Sequence, residues 1–138
     1  MHKDVVLHIN SITKFLHQHL NEPKDSKSAI RKSLLYAAKE IPSLGGYVFV
    51  MEEKEQILGA LVINKTGMSE YQSENLLVYL VVHKDFRNKG IATKLLQEAI
   101  GYCNGNITIN IKKENNAIGL FKKIGFTDHK VQMTLNKQ

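Results

Sequence analysis

The stretch from Leu80 to Leu96, LVVHKDFRNKGIATKLL, decides how the rest of the sequence is interpreted. An apolar segment enters a short basic turn, a glycine follows, and apolar residues then recur at helical spacing. This order predicts a strand, a tight turn and an amphipathic helix. The first backbone N–H groups of such a helix have no partner within it, and the helix dipole adds positive charge there. The turn is therefore a candidate site for an anion.

The residues of this turn suit a close approach by a diphosphate. Gly90 and Ala92 leave the backbone bare, so an anion can reach the main-chain amides. Arg87 and Lys89 place positive charge where the anion is expected. The competing interpretation is an ordinary basic turn, since single glycine-containing loops are common. We assign the anion site to Arg87, Asn88, Lys89, Gly90, Ile91, Ala92 and Thr93.

Two segments resemble motifs of the GNAT acetyltransferase superfamily. Arg87, Gly90 and Ala92 match the family's acyl-CoA pyrophosphate loop, which runs Arg or Gln, two residues, Gly, one residue, then Gly or Ala after a strand. Residues 115–126, NNAIGLFKKIGF, resemble a later motif of Asn, Ala, an aromatic residue, a basic residue and Gly-Phe. The two segments occur in the family's order. The resemblance extends over residues 47–138 and is less distinct in the first 45.

The hydrophobic pattern predicts an α/β protein with helices packed on a mixed sheet. A strand–helix–strand unit in its centre is expected to be a right-handed parallel crossover. The resemblance implies the GNAT fold, a mixed central β-sheet with splayed central strands and flanking helices. Val5–Leu7 is either a stub of the family's first strand, or that strand is absent. The predicted strands cover residues 47–51, 57–63, 75–82, 107–111 and 131–135, and the predicted helices lie near 9–20, 26–41, 91–103 and 116–124.

The resemblance implies direct transfer of an acetyl group from acetyl-CoA to a primary amine. In this chemistry most of the rate comes from positioning the reactants and polarising the thioester carbonyl. The backbone of Leu80, Val81 and Val82 is expected to pair with the pantetheine amides like an added strand. Asn115 matches a CoA-contacting asparagine of the family, and a helix N-cap explains it nearly as well.

Phe121 is the main departure from the family pattern. Many relatives carry tyrosine there, whose hydroxyl serves as general acid at the sulfur, and a general acid is typically worth about 100-fold or more. Three alternatives follow: the enzyme tolerates the loss, another donor such as Tyr79 serves, or the chain binds acyl-CoA without turning it over. Phe121 itself is then expected to pack against the arm of the cofactor.

Glu74 is the leading candidate for the general base, because it directly precedes the central strand. The competing interpretation is a solvated glutamate in a loop. The acceptor depends on the loops around residues 20–30 and 65–75, in which no residue pattern specifies a ligand. A cap for the second helix is available from Asp25 or Ser26.

Length and composition limit the classes of protein to which this chain can belong. With 138 residues, of which 43% are hydrophobic, a single domain over residues 1–138 is expected. No apolar run approaches the roughly 20 residues of a membrane helix. With no secretory signal and with Cys103 as its one cysteine, the chain is expected in the cytoplasm. His8, His17 and His19 have no ligands at suitable spacing, so no metal is expected.

The net charge of +6 suits a phosphate-rich cofactor. Nucleic acid is not expected as a partner, because no nucleic-acid motif accompanies the charge. A homodimer is an open alternative, since dimers are common among relatives. The rival to an acetyltransferase is a non-catalytic acyl-CoA-binding regulatory module, which Phe121 favours.

Overall fold

Four strands form one mixed sheet in the order β1-β2-β3-β4 in the computed structural model, which describes residues 5–70, 73–111, 115–128 and 131–137. The strands β1, β2 and β3 are antiparallel neighbours, and β4 runs parallel to β3. The strands are β1 (Gly46–Glu53), β2 (Gln56–Lys65), β3 (Asn75–Val82) and β4 (Ile107–Ile109). The helices are α1 (Val5–His19), α2 (Lys27–Ala37), α3 (Ile91–Tyr102) and α4 (Ile118–Ile124), with a single 3₁₀ turn at Lys84–Phe86.

Helices cover both faces of this sheet. On one face α1 and α2 contribute Ile12, Leu16, Ile30 and Leu34 to a core that includes Val62 of β2. On the other face, α3 and α4 pack against alternate residues of the same strands. Burial on both faces explains the nearly unbroken apolar runs of β2 and β3. None of the helices within the described ranges is long and apolar enough to cross a bilayer.

Strand β3 leaves its neighbour β4 after three residues. Asn75, Leu76 and Leu77 pair with Ile107–Ile109, and in the described ranges no strand pairs with Val78–Val82 on that side. The separation coincides with a β-bulge, because Val62 pairs with Tyr79 and Ile63 with Leu77, so that Val78 has no partner in β2. A bulge bends a strand and increases its twist. The backbone edge of β3 beyond Leu77 is therefore without a strand partner on the β4 side, as far as the described residues show.

The predicted mixed α/β fold with a parallel β3–α3–β4 crossover is confirmed. Val5–Leu7 begins α1, so the alternative of a short first strand is wrong. Helix α2 ends at Ala37 rather than near Ile41, because the chain turns before Pro42. Strand β4 ends at Ile109, two residues earlier than predicted.

The predicted last strand is also wrong. Residues 131–137 have no strand structure, and Val131, Met133 and Leu135 are 86%, 90% and 85% exposed. Alternation of apolar residues shows that a segment can bury one face as a strand, but the strand forms only where another strand offers its edge. In the described part of the chain no edge receives this segment.

Candidate functional site

The turn between β3 and α3 presents main-chain donors to solvent. Asn88 and Gly90 both have a positive φ, of 64° and 82°, so the backbone reverses twice before α3 begins. The first helical hydrogen bond is donated by Lys94 N–H to Gly90 O, at 3.1 Å. The N–H groups of Ile91, Ala92 and Thr93 therefore have no acceptor within the helix. A Cβ placed on Gly90 would meet nothing within 4 Å, so the approach to these donors is open.

Gly59 of β2 fixes the position of the donors. A Cβ at Gly59 would lie 2.8 Å from Cγ2 of Ile91 and 2.9 Å from Cδ1 of Leu95. The first turn of α3 consequently rests directly on the sheet, and only glycine permits this separation. The donors are held by two buried apolar side chains, since Ile91 is 8% and Leu95 3% exposed.

Arg87 makes three hydrogen bonds within the protein, and its contact with a phosphate stays a prediction. Its Nε–H donates to Val82 O at 3.1 Å and its Nη2 donates to His19 O at 2.7 Å. Its Nη1 donates to Asn21 Oδ1 at 3.3 Å. The guanidinium therefore ties the turn to β3 and to the end of α1. Lys89 is one of the exposed cations of the turn, and its Nζ lies 5.9 Å from the Phe86 ring centroid.

The open edge of β3 leads directly into this turn. Leu80 and Val82 face the α3 side of the sheet, and Val81 faces the α1 and α2 side. Their side chains are therefore occupied in the two cores, while the backbone edge beyond Leu77 has no neighbouring strand in the part of the chain described. An extended ligand with amide groups can add to such an edge as a strand does.

Tyr79 lies at the bulge and faces α1 and α2. Its hydroxyl donates to Asp25 Oδ2 at 2.6 Å, and the residue is 8% exposed. Burial, followed by the hydrogen bond to the Asp25 carboxylate, raises the pKa of the Tyr79 hydroxyl well above its usual range. The phenol is therefore neutral at physiological pH and acts as a hydrogen-bond donor. Sequence patterns do not reveal this pair, because 54 positions separate its members.

Glu74 takes part in a turn away from the bulge. Its Oε1 accepts a hydrogen bond from Asn106 N–H at 3.0 Å, next to Gly105. It precedes Tyr79 by five residues, which is about 16 Å along a strand. This geometry gives Glu74 a role in holding the turn that leads into β4, and places its carboxylate away from the open edge.

The two predicted residues of the later motif lie at α4. Asn115 is exposed, and its Oδ1 accepts a hydrogen bond from Ala117 N–H at 2.8 Å, in a turn ahead of α4. The N-cap of α4 is Ala117, so the alternative that Asn115 caps this helix is wrong. Phe121 is 4% exposed and meets Phe126 edge-on, with 5.2 Å between ring centroids. Its ring belongs to the core on the α3 side of the sheet. No contact of either residue excludes a cofactor at the same face.

Two histidine rings in contact, tilted by 34° to each other, join α1 to the turn. The rings of His19 and His83 lie 4.0 Å apart, and His19 Nδ1 accepts a hydrogen bond from Lys84 N–H at 3.1 Å. Burial, and then the nearby His83, Lys84 and Arg87, lower the pKa of His19. The accepted bond places the proton of the neutral ring on Nε2. Among the described residues no group of three or more His, Cys, Asp and Glu is arranged to hold a metal ion.

A strand with an open edge that enters a bare helix N-terminus is the arrangement that the resemblance implies for acyl-CoA binding. The family model for the acetyltransferase (GNAT) domain matches residues 45–128, which is more than half of the chain. The chain therefore belongs to the GNAT acetyltransferase family. A search of curated protein sequences finds no significant match.

Solved structures share the fold at low sequence identity. A "possible acetyltransferase" from Clostridium difficile 630 superposes with a TM-score of 0.73 at 16% identity, covering 100% of this chain and 95% of that one. The aminoglycoside N-acetyltransferase AAC(6')-Iy, in complex with CoA, gives a TM-score of 0.71 at 14% identity, covering 96% and 90%. A transcriptional regulator from Bacillus halodurans C-125 gives 0.69 at 19%, covering 94% and 93%.

Proposed function

We propose that this protein is an N-acetyltransferase that transfers the acetyl group of acetyl-CoA to a primary amine by direct attack. The observation that carries the proposal is the open edge of β3, which leads into unpartnered helix donors beside the bare Gly90. Membership of the GNAT acetyltransferase family supports it. The CoA bound in the AAC(6')-Iy structure supports coenzyme A as the carrier of the acyl group.

In this proposal acetyl-CoA binds along β3. Its diphosphate accepts hydrogen bonds from the N–H groups of residues 91–93, at the positive end of α3, and Lys89 adds charge. Its pantetheine amides pair with the backbone of residues 80–82. The thioester then lies near the bulge, where main-chain donors can polarise its carbonyl.

The amine nitrogen attacks the thioester carbon, and the carbon–sulfur bond breaks with its electron pair on sulfur. Phe121 has no proton to give to that sulfur. Tyr79 as an alternative proton donor stays a prediction, although its hydroxyl already donates to Asp25 Oδ2. Glu74 as general base stays a prediction, although its hydrogen bond to Asn106 N–H favours a structural role.

The second candidate function is a non-catalytic acyl-CoA-binding regulatory module. Phenylalanine at position 121 favours it, because the general acid that many relatives use at this place is missing. The Bacillus halodurans structure, named a transcriptional regulator, shows that this fold is shared by a protein with a regulatory name. Both candidates use the same cofactor site, so only turnover separates them.

The test combines cofactor binding with thiol release. Calorimetry with acetyl-CoA and with CoA measures binding, and a thiol reagent measures CoA release in the presence of a panel of primary amines. We expect binding at micromolar acetyl-CoA and thiol release with at least one amine. Binding without release from any amine supports the regulatory module, and indifference to millimolar CoA rejects both candidates.

We further propose a single domain over residues 1–138 in the cytoplasm, without a bound metal, nucleic acid or membrane as a partner. The one cysteine supports the compartment, since a disulfide within the chain is excluded. Fractionation of cells that express the tagged chain tests the location, and limited proteolysis tests the single domain. Recovery of the chain in a membrane fraction would contradict the proposed location.

We also propose that two copies associate. The support is the exposed alternating segment Val131, Met133 and Leu135, together with the outer edge of β4, which no strand covers in the described ranges. In this arrangement residues 131–135 of each copy pair with β4 of the other. The backbone groups at the edge of β4 then have hydrogen-bond partners, and the apolar face of the segment is buried. Light scattering should give twice the mass of the chain, and Met133→Lys should give a monomer. A monomeric wild type at high protein concentration would contradict the association.

A further inference from the structure

We propose that the carboxylate of Asp25, held in place by the Tyr79 hydroxyl, binds the ammonium group of the acceptor. This inference rests on the proposed acetyltransferase function and deepens it, because it names the residue that recognises the charged form of the acceptor amine. The acceptor site then lies between the segment 20–26, which joins α1 to α2, and the bulge of β3. Four features of the described residues carry the argument.

The first feature is that Asp25 is released from helix capping. Asp25 and Ser26 are both suitable N-caps for α2, and the structure uses Ser26, whose Oγ accepts a hydrogen bond from Ala29 N–H at 3.1 Å. The carboxylate of Asp25 instead reaches Tyr79, 54 residues along the chain. A carboxylate that is not needed for the local turn is available for another role.

The second feature is the position of Tyr79 on β3. The bulge at Val78 turns Val78 and Tyr79 to the same side, toward α1 and α2. The hydrogen bond therefore holds Asp25 on the α1 and α2 side of β3, at a residue beyond the pairing with β4. We place the thioester arm along the edge of the same strand segment. An acceptor bound at Asp25 approaches that edge from the α1 and α2 side, opposite the core that contains Phe121.

The third feature is that the negative charge of Asp25 has no cationic partner among the described residues. Among the described residues no lysine or arginine nitrogen lies within 4.0 Å of its carboxylate, and only Oδ2 has a hydrogen-bond partner. Lys24 donates to Gln18 O at 3.2 Å, and Lys27 lines a cleft between α1 and α2 with Lys14 and Arg31. Oδ1 is thus available to a cation from outside, and a charge-assisted hydrogen bond is the strong kind.

The fourth feature is that the segment 20–26 is fixed at its other end. Arg87 lies in the turn of residues 83–93, which we assign to the diphosphate. It donates to His19 O and to Asn21 Oδ1, at 2.7 and 3.3 Å. The same arginine therefore connects the turn that we assign to the cofactor with the segment that carries Asp25. Holding both reactants on one rigid frame is how an enzyme makes their reaction effectively unimolecular.

The proton transfers follow from this placement. The ammonium group gives one proton to the Asp25 carboxylate, and the neutral amine then forms the carbon–nitrogen bond. The carbon–sulfur bond breaks with its electron pair on sulfur, and the second proton from nitrogen neutralises the thiolate. The products are the N-acetyl amine and CoA, and Asp25 returns its proton to water.

The test uses the full chain with acetyl-CoA and an amine that the wild type acetylates. We expect Asp25→Asn to lower kcat/KM for the amine by at least about 30-fold, while the KM for acetyl-CoA changes less than about twofold. Asp25→Glu should recover part of the loss, because it restores the charge. Glu22→Gln is the matched control, since it removes an exposed carboxylate from the same segment and should leave both parameters unchanged.

Tyr79→Phe tests whether the hydrogen bond between Tyr79 and Asp25 positions Asp25 for the amine or only stabilises the fold. It keeps the carboxylate but removes its anchor, so we expect kcat/KM for the amine to fall by about fivefold to tenfold, through a higher KM for the amine. If Asp25→Asn reduces only thermal stability and leaves kcat/KM for the amine within about twofold, the inference is wrong although the acetyltransferase function stands. If the wild type binds acetyl-CoA and acetylates no amine, the proposed function fails and this inference fails with it.

Discussion

The diphosphate turn, residues 83–93, and the acceptor segment, residues 20–26, are held in opposite ways. The turn is built from neighbours in sequence: a strand, a left-handed Asn88, a left-handed Gly90 and the first turn of α3. The acceptor segment has a cap of its own only at Ser26, and its other fixed points come from Tyr79 and Arg87. The backbone shape of the proposed cofactor site is therefore local, although Gly59 and Arg87 fix its place in the fold. The proposed acceptor site, in contrast, depends on a contact between residues far apart in the sequence.

The largest effect should come from placing charge in the turn. Gly90→Asp puts a carboxylate against the diphosphate, and Gly90→Asn puts a side chain of the same shape there without charge. Both introduced residue types tolerate the left-handed backbone better than most. We expect the Kd for CoA, measured by calorimetry, to be at least about 100-fold higher in the Gly90→Asp variant than in the Gly90→Asn variant. Equal Kd values in two variants that melt alike would place the diphosphate elsewhere.

Removing Arg87 should disturb both regions at once. Arg87→Ala deletes three hydrogen bonds from a charged donor and leaves the carbonyl oxygens of His19 and Val82 without this partner. We therefore expect a loss of about 2 kcal/mol in the free energy of unfolding. Urea denaturation measures this loss. Lys89→Ala is the control: it should change stability by less than about 0.5 kcal/mol and weaken CoA binding severalfold. Wild-type stability in Arg87→Ala would mean that the two regions are independent.

Lowering the pH should destabilise the protein through His19, which joins α1 to the turn. The folded protein lowers the pKa of His19, so the unfolded chain binds more protons, and stability falls as the pH drops through about 6.5 toward the folded pKa. Protonation of Nδ1 also breaks the bond from Lys84 N–H. The charged groups around the ring are His83, Lys84 and Arg87, which oppose its protonation, and Asp85, which favours it.

Urea midpoints at several pH values, from neutral to mildly acidic, measure this effect. The midpoint should fall with the pH in the wild type, and fall less in His19→Gln, which cannot be protonated. His17→Gln is the control two positions earlier in α1, and it should keep the wild-type slope. An unchanged slope in His19→Gln would assign the acid sensitivity to another group.

The smallest effect is expected at Phe121. Phe121→Tyr adds a hydroxyl to a ring that is 4% exposed, so we expect a loss of about 1 kcal/mol in stability. The rate of CoA release with an active amine should stay equal or rise, within about threefold, because the added hydroxyl resembles the donor of relatives. A fall of more than tenfold in initial rate would show that the ring is too tightly packed for a hydroxyl.

The sequence predicted most of the fold because its signals are local. The apolar run of β3, Gly90 before an amphipathic stripe and the alternating Ile107 and Ile109 each specify one element within a few residues. The same patterns overestimated α2, β4 and the last segment. The ends of a helix or strand depend on what packs beside them, and that is not encoded in the segment itself.

The candidate site was predictable in part for the same reason. The assignment of residues 87–93 follows from a contiguous motif, and it stays a prediction that CoA binding will test. The hydrogen bonds of Arg87 to His19 and Asn21, and the pairing of Asp25 with Tyr79, join positions 54 to 68 residues apart. Glu74 was assigned from its place beside β3, and only the folded chain shows its carboxylate at Asn106.

The mixed α/β fold, the family and the place of a bare, positively charged turn follow from the sequence alone. These depend on the period of apolar residues and on the freedom of one glycine, which are properties of short segments. Where β3 leaves β4, which direction Tyr79 faces and which carboxylate stands beside it are visible only in the folded chain. Those features arise because a bulge is set by pairing with another strand, and a side-chain contact by the packing of distant elements.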